Sequence, residues 1–118
     1  MGSGCPALQA IASVGIPKIG LTALGSTQAT AFALPSDFNI FTTTALSTGA
    51  ILSATGVNIQ LADSFIVVNH GANPLAVYPP VGGTISTLTA NTSLAVPAGK
   101  TGFFLVVGSN AYAASISN

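Results

Sequence analysis

Only four of the 118 side chains carry a formal charge at neutral pH: Lys18, Asp37, Asp63 and Lys100. An ordinary soluble domain devotes about a quarter of its residues to charge, whereas this chain devotes 3% and has a net charge of zero. A monomer with so few ionic groups has little electrostatic repulsion from its neighbours, and near-zero net charge promotes association. Hydrophobic residues make up 49% of the chain and mean hydropathy is +0.72. Disorder is thereby excluded, because disordered chains are poor in apolar residues and rich in charge. A chain of this length buries about two-thirds of its unfolded surface on folding, enough for one domain with a real core. The balance predicts a component that works inside an assembly.

The same scarcity removes several classes of function. Two cations give no electrostatic footprint for nucleic acid, nor for an anionic membrane surface. A spanning helix needs about 20 consecutive apolar residues, and here Ser, Thr, Asn and Gly interrupt every run; the densest, Gly102 to Gly108, is strand length. The amino terminus lacks the charged start and apolar block of a secretory signal. Cys5 is the single cysteine, so no intrachain disulfide is possible. With no base or cation beside it in sequence, it reads as a small inert apolar residue.

Residues 1–27 read as an irregular amino-terminal arm, with glycines and prolines among small apolar residues and a short helix near Ala7 to Val14. From Gln28 the pattern turns strand-like, with turn signals every 8 to 12 residues, the spacing of a sandwich or barrel. The predicted strands are Gln28–Leu34, Asn39–Leu46, Ala50–Ser53, Val57–Leu61, Ser64–Asn69, Leu75–Tyr78, Thr84–Leu88, Thr92–Val96, Gly102–Val107 and Ala111–Ile116. The expected fold is therefore all-β, a small antiparallel β-sandwich or barrel over residues 28–118. Thr55-Gly56 is expected to close a hairpin, and Pro97-Ala98-Gly99-Lys100 to reverse the chain before Gly102. Tyr78-Pro79-Pro80 ends a strand, since proline cannot donate to a ladder. No heptad and no period of 20 to 50 residues is visible, which argues against a shaft, a coiled coil or a solenoid.

Two features bear on association. Thr42 to Thr44, Ser47-Thr48, Thr84, Thr87, Thr89 and Thr92-Ser93 take the solubilising role that charges usually have, with high β-propensity and a modest cost of later burial. Phe103 to Val107 is apolar on both parities, so a strand there must be covered by the core on one side and by something else on the other.

Chemistry finds few candidates. A Ser-His-Asp relay would need His70 with Asp63 or Asp37 and one of many serines; no Gly-x-Ser-x-Gly elbow is present. A loop histidine beside a turn aspartate accounts for the same residues. His70, Asp37, Asp63 and Cys5 are too widely spaced for a metal motif within one subunit, although a symmetric oligomer could converge copies of His70 or Asp63 on an axis. Gly99-Lys100-Thr101 resembles the end of a phosphate loop, but position 94 is Leu where that motif needs Gly, and a strand follows where it needs a helix. Asn91-Thr92-Ser93 matches a glycosylation sequon, a match frequent by chance. No catalytic residue, metal or cofactor is expected.

The segment Phe65-Ile-Val-Val-Asn-His-Gly-Ala-Asn-Pro-Leu-Ala-Val-Tyr-Pro-Pro-Val-Gly-Gly-Thr-Ile, then Leu88-Thr-Ala-Asn-Thr-Ser-Leu-Ala-Val-Pro-Ala-Gly-Lys-Thr-Gly-Phe-Phe and finally Tyr112, resembles a module of small structural proteins of tailed bacteriophages. The likeness covers residues 64–114. It implies a non-enzymatic, β-rich virion component. A small uncharged chain of this kind looks most like a capsid decoration or cement protein, a homotrimer that bridges major capsid subunits on the outer surface of the capsid. The alternative is a tail, baseplate or receptor-contact component; a small hydrolase dependent on His70 is a third class. The residues expected to make core or oligomer contacts are Phe103, Phe104, Leu105 and Val107, with Phe38, Ile40 and Phe41 as a second apolar cluster. The four charged residues are expected at solvent or at intersubunit pairs, not gathered in a cleft.

Overall fold

Short strands joined by turns and loops make up the described structure, residues 17–55 and 61–117 of a computed structural model. No helix occurs among these residues. Six strands form one sheet, in the order β1 (Lys18–Thr22), β3 (Phe38–Thr43), β5 (Ser64–Asn69), β9 (Thr101–Gly108), β10 (Ala111–Ile116), β7 (Thr84–Ile85). Four form the other, in the order β2 (Phe32–Ala33), β4 (Gly49–Ile51), β6 (Leu75–Tyr78), β8 (Leu94–Val96).

The sheets are mixed, which corrects the antiparallel expectation. From β1 to β6 the chain alternates between the two sheets, so each sheet receives its next strand in the same direction. Thus β1, β3 and β5 are parallel, as are β2, β4 and β6. Between strands, antiparallel pairing joins β5 with β9, β9 with β10 and β6 with β8, and an isolated antiparallel bridge links Leu24 with Gly49. The reason is geometric: a turn signal marks a change of direction, and here most turns carry the chain across to the opposite sheet instead of back beside its neighbour. Parallel neighbours need a long crossover, and each crossover contains a strand of the other sheet.

The chain thus winds between the two sheets, adding a strand to each in turn. Ile19 pairs with Ile40 and Ile40 with Val68, while Phe32 pairs with Ala50 and Ala50 with Val77. The steps are unequal, so the coils leave no repeat in the sequence. Residues 17–27, expected within the arm, contribute β1, which joins β3 at the edge of the larger sheet. The helix expected near Ala7 to Val14, Gly56 of the Thr55-Gly56 turn and residues 57–60 of the strand expected at Val57–Leu61 lie outside the described residues.

Three strands, Ser64–Asn69, Leu75–Tyr78 and Ala111–Ile116, have the bounds that the sequence predicts. The strand expected at Gln28–Leu34 contracts to Phe32–Ala33, because Thr27 to Thr30 close a turn: Thr30 N–H donates to the Thr27 carbonyl at 3.2 Å, and Thr27 N–H to Thr30 Oγ1 at 3.2 Å. Serine and threonine compete locally for the backbone in this way.

The two sheets share one core. Phe41, Phe65, Val67, Phe104, Val106 and Tyr112 enter it from the six-stranded sheet, and Ala50, Leu75, Val77 and Val96 from the four-stranded one. Phe32 and Phe41 meet across the sheets edge to face at 5.8 Å and 86°, a favoured aromatic geometry. Each large side chain fully buried contributes about 1.5–3 kcal/mol.

Candidate interaction surface

Period-two alternation along β9 sends Gly102, Phe104 and Val106 inward and leaves Phe103, Leu105 and Val107 at 46%, 42% and 51% exposure. The register extends this apolar row across the sheet. Phe103 pairs with Ile66 and Ile66 with Phe38; Leu105 pairs with Ala113. One row along, Val68 pairs with Ile40 and Ile40 with Ile19, which is 68% exposed. Directly opposed side chains sit about 5 Å apart, so these residues form one continuous outer face.

The expected apolar clusters are therefore divided by parity. Phe103, Leu105 and Val107 join Phe38 and Ile40 on the outer face, whereas Phe104 and Phe41 lie in the core with no exposure. Ile66 and Val68, which connect the two clusters, were not singled out in the sequence. Their signal was present, because Phe65 to Val68 is apolar on both parities in the same way as Phe103 to Val107. A shallow groove runs over the face, bordered by Ser64, Ile66, Phe103, Leu105, Ala113 and Ser115.

Charge is kept to the strand ends. Lys18 opens β1, while Asp37 and Asp63 immediately precede β3 and β5; these three strands are parallel, so all three residues lie at one end of the sheet. His70 follows β5 and Lys100 precedes the antiparallel β9, which places both at the opposite end. Lys18 is exposed and Asp37, Asp63 and Lys100 are half-buried. Among the described residues, the outer face between these ends carries no charged side chain.

This arrangement corrects the reading that allowed His70 to touch an aspartate. The extended strand β5 separates Asp63 from His70, and at about 3.3 Å per residue their backbones are about 23 Å apart. Asp37 lies at the same end as Asp63. Among the described residues no three His, Cys, Asp or Glu side chains are grouped to hold a metal. Gly99, with φ of 79°, occupies the turn that Lys100 N–H closes onto the Pro97 carbonyl at 3.0 Å, and Thr101 then opens β9. A phosphate loop would open a helix there.

The Asn69-His70-Gly71-Ala72-Asn73-Pro74 motif organises the end of the sheet at which β5 finishes. Asn69 is fully buried. Its Nδ2 donates to the carbonyls of Asn73 at 2.8 Å and Val96 at 2.9 Å, and its Oδ1 accepts from Thr44 Oγ1 and Gly71 N–H, both at 2.9 Å. Asn73 Nδ2 donates to the Thr44 carbonyl at 3.0 Å. Gly71 passes so close to Thr44 that a Cβ would overlap it, so only glycine fits. At the other end the Tyr112 hydroxyl donates to the Ser53 carbonyl at 2.6 Å, and burial, with the Asp63 charge adding to it, pushes that hydroxyl up to about 12.

No family model, curated protein or solved structure matches the chain.

Proposed function

We propose that this chain is a non-enzymatic structural protein of a tailed-bacteriophage virion, a β-sandwich that decorates the outer surface of the capsid and stabilises the head. The observation that carries the reading is the uncharged apolar outer face of the six-stranded sheet, with Phe103, Leu105 and Val107 open to solvent. A monomer rarely exposes a continuous apolar patch of that kind without using it for binding. The residues that resemble phage structural modules, above all Asn69 to Pro74, supply the second support. In this reading the protein forms homotrimers that tie major capsid subunits together against internal pressure, and its contacts act through buried area rather than through charge.

Purified particles test it by copy number and position. Many copies spread over the head are the expected result. A few copies at the tail or at one vertex would replace decoration with a tail or receptor-contact role, and absence from particles would overturn the virion reading altogether.

A further inference from the structure

We infer that the open half of the β10 edge takes an extended, uncharged segment of a partner protein, added to the sheet as a further strand. This rests on the assembly reading above and names how its partner is held. Ladder parity locates the site. Ser117 N–H donates to the Thr101 carbonyl, so the odd residues of β10 turn their N–H and C=O groups toward β9 and the even ones turn theirs away. On that outer side β7 lies parallel to Ala111 and Tyr112 and then stops. Ser86 N–H still reaches the Tyr112 carbonyl at 2.6 Å. There the backbone turns left-handed, with φ of 51°, and Leu88 N–H closes onto the Ile85 carbonyl at 3.0 Å. The Ser86 hydroxyl, in place of its carbonyl, then accepts from Ala114 N–H at 3.0 Å. The next three groups along the edge, the Ala114 carbonyl and the Ile116 N–H and carbonyl, have no hydrogen bond among the described residues.

These groups are spaced for a strand that continues the line of β7. One extended residue beside Ser115, running parallel to β10, would donate its N–H to the Ala114 carbonyl and accept from Ile116 N–H; the second residue after it would donate to the Ile116 carbonyl. Neither of those two can be proline, which has no N–H. The side chain beside Ser115 falls on the outer face, where Ser115 and Ala113 are small and leave the groove that Ile66, Phe103 and Leu105 border. A large apolar side chain there lies over Ser115 against Phe103, its directly opposed neighbour on β9. The face offers no charge to pair with, so an ionic side chain would be desolvated without compensation. At the far edge of the same sheet, β1 carries Lys18 and loses register with β3 on both sides of Leu21, devices that discourage strand addition.

The test uses the isotope-labelled full chain and the uncharged probe acetyl-Thr-Ser-Thr-Leu-Thr-Ser-Thr-amide, whose single leucine sets the register. In the free protein the Ile116 amide is expected to exchange rapidly with solvent. Probe at up to about 2 mM is expected to shift the amides of Phe103 and Ala113 to Ile116 saturably, with a Kd of about 0.1–1 mM, and to slow exchange at Ile116. The same peptide N-methylated at its leucine loses the donor for the Ala114 carbonyl and is expected to bind at least about tenfold more weakly. Ile116→Pro removes the N–H at an edge position, where proline is tolerated, and is expected to abolish binding. Ser115→Lys, a charge at the mouth of the groove, is expected to weaken it about tenfold or more. Ala45→Lys, exposed in the turn after β3, is expected to leave it unchanged. Unchanged circular dichroism separates a lost site from a lost fold. An Ile116 amide already protected in the free chain, the absence of any saturable shift, or equal binding of the N-methylated peptide overturns the inference. Particles that carry the Ser115→Lys and Ile116→Pro chains at wild-type copy number would also overturn it while leaving the virion reading in place; peptide binding by a chain found on no particle would do the reverse.

Discussion

The Thr44 hydroxyl donates to Asn69 Oδ1 at 2.9 Å, and both residues are buried. That bond ties the turn after β3 to the end of β5, and through the other three hydrogen bonds of the Asn69 amide to Asn73, Gly71 and Val96. All four hydrogen-bonding capacities of the amide are used, so the group is buried without an unmet donor or acceptor.

Removing it reverses that balance. Asn69→Ala leaves two carbonyls, an N–H and a hydroxyl inside the protein without that partner, at about 1–3 kcal/mol for each that water cannot reach. The expected loss is about 3–4 kcal/mol, read as the shift in urea midpoint at constant slope. Thr44→Val, which removes one of the four bonds, is expected to cost about 1 kcal/mol. An Asn69→Ala protein within about 0.5 kcal/mol of wild type would show that the amide is not structural.

What could be read from the sequence follows the range of each interaction. Ser64–Asn69 and Ala111–Ile116 are short, mostly apolar runs set off by adjacent turn residues, and their bounds were legible. The parallel arrangement was not, because whether the chain after Thr43 returns beside β3 or crosses to β4 depends on the opposite sheet. The face was half legible: Phe103 and Leu105 announced themselves, but only the register that sets Ile66 between Phe103 and Phe38 joins the two clusters. The separation of Asp63 from His70 was legible as well, because the strand predicted between them, Ser64–Asn69, holds them at its opposite ends.

Tyr112 makes stability fall in alkali. Its hydroxyl ionises near 10.0 when unfolded and only at about 12 in the fold, burial being the main cause and Asp63 the second. The folded state therefore favours the neutral phenol. This contribution is whole below pH 10 and is lost as pH rises from 10 to about 12, because the unfolded chain releases its proton first. The loss is bounded at about 2–3 kcal/mol. Tyr112→Phe is expected to cost about 1 kcal/mol at pH 8 through the missing bond to the Ser53 carbonyl, and to have a flatter melting temperature between pH 10 and 12. An equal alkaline decline in both proteins would assign it elsewhere.

Backbone strain predicts two changes of opposite sign. Ala62, just before β5, has φ of 70°, a region costing a residue with a Cβ about 1 kcal/mol. Ala62→Gly is expected to stabilise by about 0.5 kcal/mol after the greater freedom of glycine in the unfolded chain is deducted. Gly99 has φ of 79° and open space where a Cβ would stand, so Gly99→Ala is expected to destabilise by about 1 kcal/mol through backbone strain without a clash. Thermal melts of the two variants should therefore move in opposite directions.

Phe103 and Phe104 adjoin in sequence and face opposite sides of one strand, so truncating each separates folding from association. Phe104 has no exposed surface and lies against the core; Phe104→Ala leaves a cavity and is expected to cost about 3–5 kcal/mol. Phe103 is nearly half exposed, and Phe103→Ala removes little that the isolated subunit buries. Its expected cost, measured under dilute conditions that favour monomer, is under about 1 kcal/mol. At high concentration the order reverses for assembly, because Phe103 lies at the groove and the oligomer is expected to weaken about tenfold or more when an aromatic anchor is lost from an interface centre. If Phe103→Ala instead unfolded the subunit as severely as Phe104→Ala, the outer face would belong to the folding core, and its apolar residues would need no partner.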